Sequence, residues 1–73
     1  MSAAAERLAR KDLARLERQI DKLSAREGEL HQRLAANATD YEKLTELGET
    51  LRSVQDEKSA LEERWLEVAT ELG

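Results

Sequence analysis

The sequence predicts an all-α protein, an antiparallel two-helix coiled-coil hairpin forming a single small domain. Three observations carry this expectation. Apolar residues recur at steps of three and four through both halves of the chain, which keeps one stripe of a helix turned toward a partner. The first array is Leu13, Leu16, Ile20, Leu23, Leu30 and Leu34; the second is Leu44, Leu47, Leu51, Val54, Leu61, Trp65, Val68 and Leu72. Between them lies Ala35-Ala36-Asn37-Ala38-Thr39-Asp40, where the periodicity stops. The third observation is compositional. The chain has no proline, 3% aromatic residues and 38% charged residues, which suits long amphipathic helices and not strands.

Residues 1–5 are small and uncommitted, like a frayed terminus or the end of a linker. Helix one is expected over about 5–36, roughly 45–50 Å at the α-helical rise. With Leu13 at heptad position a, Leu16, Leu23 and Leu30 fall at d, and Ile20 and Leu34 at a. Glu27 takes an a position that wants an apolar side chain, and Gly28 after it weakens the helix by about 1 kcal/mol relative to alanine. The turn is expected over about 37–39. Thr39 followed by Glu42 has the spacing of a reciprocal side-chain cap, so a second helix should begin near Thr39 or Asp40.

Helix two is expected over about 40–72. Leu44, Leu51, Trp65 and Leu72 occupy a, and Leu47, Val54, Leu61 and Val68 occupy d. Lys58 is its polar intruder at a. Gly48, at e, either permits close approach or softens the helix, and Gly73 suits a left-handed cap. A turn centred between residues 40 and 41 predicts layers that include Leu30–Leu51, Glu27–Val54, Leu23–Lys58, Ile20–Leu61, Leu16–Trp65 and Leu13–Val68. The two polar intruders then fall in adjacent layers, within reach of one another. A register shifted by one heptad is the alternative.

Composition removes several function classes. Cysteine is absent, which excludes disulfides and thiolate metal sites. No apolar run approaches the roughly 20 residues needed to span a bilayer, and the N-terminal residues lack the apolar core of a secretory signal. A cytoplasmic protein with no membrane partner is therefore expected. Glu27 and His31 lie one turn apart, but a metal bundle needs several such pairs converging from different helices. No phosphate-cradling glycine loop exists, since the glycines are Gly28, Gly48 and Gly73. Neither a metal nor any other cofactor is expected, and two helices enclose no catalytic pocket, so the chain is not expected to be an enzyme.

Charge is distributed unevenly. Residues 1–36 carry eight Lys and Arg against six Asp and Glu, whereas residues 37–73 carry four against ten. The basic arm and the acidic arm should attract when folded together. Arg7, Lys11, Arg15, Arg18, Lys22 and Arg26 recur at three- and four-residue steps along helix one, with Arg10 beside them. Such a row is either a contact line for nucleic-acid phosphates or a solvated face neutralised by Asp12, Glu17, Asp21 and the acidic arm. Trp65, the only tryptophan, is either a seam residue near the open end of the hairpin or part of a docking surface shared with another domain.

Two segments bear a family resemblance. Arg10-Lys11-Asp12-Leu13-Ala14-Arg15-Leu16-Glu17-Arg18-Gln19-Ile20 resembles the opening of the C-terminal coiled-coil domain of ABC-F ATP-binding cassette proteins of the Uup type. Leu61-Glu62-Glu63-Arg64-Trp65-Leu66-Glu67-Val68 looks like that domain's ending around an Arg-Trp pair. The connection is compact here, where many members have a longer, proline-containing one. The resemblance implies a bacterial cytoplasmic ATPase whose two nucleotide-binding cassettes lie upstream, outside this chain. It further implies an appended arm that binds nucleic acid, either duplex DNA or ribosomal RNA. Arg10, Lys11, Arg15, Arg18 and Lys22 correspond to the family's basic first helix. The other expectation is a structural arm that self-associates weakly or docks on the parent cassettes.

Overall fold

A computed structural model describes residues 1–73. Helix α1 spans Ala3–Ala36 and helix α2 spans Tyr41–Leu72, with no strand. The two run antiparallel as a thin rod of 56 × 14 × 13 Å, an all-α coiled-coil hairpin. Of 64 backbone hydrogen bonds, 58 lie within the helices, so the seam between the arms is left to side chains alone.

Local chemistry sets each helix end. Ser2 caps α1, its hydroxyl accepting from the Ala5 N–H at 3.1 Å, and Glu6 places negative charge in the first turn. The helix therefore begins at Ala3, two residues before the expected start, because the Ser2 hydroxyl satisfies a first-turn N–H that small apolar side chains cannot. At the other end Asn37 closes the helix. Its backbone N–H donates to the Arg33 and Leu34 carbonyls, and its Nδ2 donates to the Arg33 carbonyl at 2.8 Å.

The start of α2 differs from the expected Thr39–Glu42 cap. Asp40 is the capping residue, in extended backbone, with Oδ1 accepting from the Lys43 N–H at 3.1 Å. An aspartate caps as well as a threonine and adds a negative charge where the helix dipole favours one. Thr39 remains in the turn. Gly73 ends α2 with φ +85°, a left-handed conformation that glycine adopts without strain.

All 14 residues of the two apolar arrays are at least half-buried. Leu16 and Leu30 from α1, and Val54 and Val68 from α2, are the buried residues, the two leucines completely so. Three cross-arm contacts fix the register. Lys58 Nζ lies 2.8 Å from Glu27 Oε1, joining the adjacent layers in which the two intruders were expected. Trp65 Nε1 donates at 3.1 Å to Glu17 Oε1, on the residue next to its expected partner Leu16. Arg64 lies 3.8 Å from Asp12, each the immediate neighbour of a predicted seam residue. A shift of one heptad, about 10 Å along the axis, would break all three.

Gly48 is not a close-approach residue. A Cβ built on it, or on Gly28, meets nothing within 4 Å. Both glycines face open space and weaken their helices without any packing return.

Candidate nucleic-acid interface

The polarity of the cross-arm ion pairs decides where the hairpin's free charge lies. In both such pairs, Lys58–Glu27 and Arg64–Asp12, the acidic arm supplies the cation and the basic arm the carboxylate. Their polarity is opposite to the one that the net charges of a basic α1 and an acidic α2 suggest. The reason is positional. The α1 cations sit mainly at outer heptad positions, too far round the helix to reach the partner, whereas Glu27 and Asp12 lie at and beside the seam.

The row on α1 is consequently left largely unpaired. Arg7, Arg10, Lys11, Arg15, Arg18 and Lys22 are exposed, and Arg26 is half-exposed. Arg15 is tied down by Asp12, to which its Nε donates at 3.2 Å, and by Gln19 at 3.4 Å. Arg26 donates to Glu29 at 3.2 Å. Arg7, Arg10, Lys11, Arg18 and Lys22 have no carboxylate within 4.0 Å. Of the neighbours expected to neutralise them, Asp12 serves Arg15 and Arg64, Glu17 accepts from Trp65, and Asp21 pairs with nothing. Arg7, Lys11, Arg18 and Lys22 follow one another at steps of four, seven and four, a line of about 22 Å along the helix. Arg10 flanks it at an e position.

Sequence reasoning omitted Arg33 and Arg52. Both are exposed and free of carboxylate partners. Arg33 lies in the last turn of α1, where it also complements the helix dipole. Its position one heptad after Arg26 was the available signal. It also omitted Glu17 as the acceptor for Trp65, although that contact follows from the Leu16–Trp65 layer.

The other candidates recede. His31 is exposed, Glu27 is committed to Lys58, and no group of three potential ligands converges anywhere. The hydrogen bond from Lys58 holds the Glu27 carboxyl below the ordinary carboxylate value against the opposing effect of burial. The same bond raises the Lys58 amine. With side-chain exposures of 18% and 25%, the pair is a partly buried element of the seam. The arrangement offers fixed positive charge on one outer face and negative charge on the other. No helix is long and apolar enough to cross a membrane.

No curated protein and no solved structure matches the chain significantly. The family model described as the ABC transporter C-terminal domain matches residues 5–70, from the first turn of α1 almost to the end of α2. The chain belongs to the ABC transporter C-terminal domain family.

Proposed function

We propose that this hairpin is a non-catalytic nucleic-acid-binding arm of an ABC-F type ATPase, acting in the cytoplasm beside the cassettes of its parent protein. The observation that supports this reading is the line of unpaired cations on α1, left free because α2 supplies the cation in both cross-arm ion pairs. A row of like charges is mildly unfavourable in isolation and gains when phosphates neutralise it. Side chains on the convex face of one helix reach a phosphate backbone but form no groove reader. Binding is therefore to duplex DNA or structured RNA such as ribosomal RNA, with little regard to sequence. The acidic outer face of α2 repels phosphates and turns the module so that α1 faces the nucleic acid.

Mobility shifts at low salt test the reading. The chain should bind duplex DNA or structured RNA with a dissociation constant on the order of 10⁻⁴–10⁻⁶ M, and log affinity should fall with log salt at a slope no steeper than about −4 to −5 if five cations engage. Lys11→Glu, Arg15→Glu, Arg18→Glu and Lys22→Glu together should abolish the shift with helicity retained. Absence of binding by the natural chain, or equal binding by the reversed one, would favour a structural arm that docks on the parent cassettes. The net charge of −4 supports that second reading.

A further inference from the structure

An apolar groove on the flank of the hairpin borders the basic line but shares no residue with it. Its floor is Ile20, Trp65 and Leu66, and its walls are Glu17, Asp21 and Glu62; it encloses about 380 Å³. Ile20 and Trp65 are seam residues whose outer edges remain uncovered, while Leu66 lies outside the apolar stripe and is 61% exposed. The indole is held in place by its hydrogen bond to Glu17. An exposed leucine against a fixed, half-buried tryptophan is apolar surface the fold itself does not use.

The walls state what would cover it. Glu17, Asp21 and Glu62 have no cation within 4.0 Å, and Lys58, whose charge Glu62 influences, is committed to Glu27. An anionic backbone is excluded by three carboxylates. An arginine or lysine fits, because its aliphatic stem can lie on the leucine and isoleucine while its head meets the indole face and the acid walls. We infer that this groove docks a basic amphipathic segment of a protein partner, with an arginine or lysine laid across Trp65. The hairpin would then carry phosphate-binding chemistry along one surface and cation-binding chemistry along another.

Because Trp65 is the only tryptophan, its emission reports the groove directly. The 73-residue chain would be titrated with a synthetic amphipathic helix of Leu, Ala and Arg, and with the same helix carrying Glu for Arg. The Arg helix should shift the Trp65 emission saturably and the Glu helix should not. Asp21→Lys with Glu62→Lys should weaken that binding by at least about tenfold. Leu66→Ser should weaken it too; this site is exposed, so the fold survives, as circular dichroism would confirm. Glu49→Lys with Asp56→Lys makes the same change in net charge on the outer face of α2 and should leave affinity unchanged. Equal loss in that control pair would reduce the effect to bulk charge and overturn the groove. An emission shift on raising the chain concentration alone would place a second copy there instead.

Discussion

The two arms of the hairpin are alike where they touch and opposite where they do not. Helices of 34 and 32 residues each contribute two buried side chains to the seam. Their outer surfaces diverge, with free cations along α1 and, on α2, acids interrupted by few positive charges. The contrast teaches that packing and charge are separate requirements in this molecule. A seam layer must match its partner across the interface, because a lost methylene leaves a cavity. An exposed charge contributes little to stability, so each outer face is free to carry either sign.

The largest test of that separation sets a seam residue against an outer one. Leu30→Ala removes a side chain with 0% exposure and should cost about 2–5 kcal/mol in denaturant unfolding. Lys11→Glu or Arg18→Glu should stay within about 0.5 kcal/mol of the parent by the same measurement. Comparable losses at both kinds of site would collapse the distinction between the two surfaces.

A smaller effect is expected where seam and charge overlap. Replacing Glu27 and Lys58 together with leucine should raise the melting temperature, because matched apolar residues pack better than a partly buried ion pair. It should also loosen the register, seen as mixed oligomers in sedimentation, since a polar layer tolerates only the alignment that pairs it. A double variant less stable than the parent would show that the ion pair stabilises the hairpin more than packing can.

The smallest effect is the dependence of that pair on pH. Glu27 has a lowered folded pKa, so its contribution is complete above the ordinary carboxylate range and is lost as pH falls through the lowered value. Lys58 has a raised one, so its contribution is complete below the ordinary lysine range and is lost as pH rises through the raised value. The stability gap between the natural chain and Glu27→Gln should therefore be flat near neutrality and narrow below about pH 4 and at strongly alkaline pH. Thermal melts across that range measure it. A gap that does not narrow in acid would mean that the carboxylate's charge contributes nothing.

Much of this architecture was legible because the heptad is a long-range signal that many residues repeat. The placement of Glu27 and Lys58 in adjacent layers needed only the turn position and the register. What escaped was decided by single side chains. Residues 1–5 carried no visible cap and Thr39 looked like one, yet local geometry selects Ser2 and passes over Thr39 for Asp40. The Arg64–Asp12 pair, and the polarity shared by both cross-arm pairs, escaped for a different reason. Net charge per arm predicts attraction between arms, but pairing depends on which charges flank the seam, and there the signs run the other way. The groove beside Trp65 combines residues from both helices that are far apart in sequence, so no motif announces it.

The slenderness of the rod has a mechanical consequence. At 56 Å long and 14 by 13 Å across, it converts small rotations at the end opposite the turn into large displacements at the turn, about 1 Å of travel per degree of tilt. Most of the basic line, Arg7 to Arg18, lies in the half of α1 nearer that end, where travel is smallest, so a swing of the arm would move the Asn37–Asp40 tip far more than these cations. Such a lever holds the cations nearly in place while its tip sweeps, and labels placed at Arg7 and at Ala38 would separate the two motions.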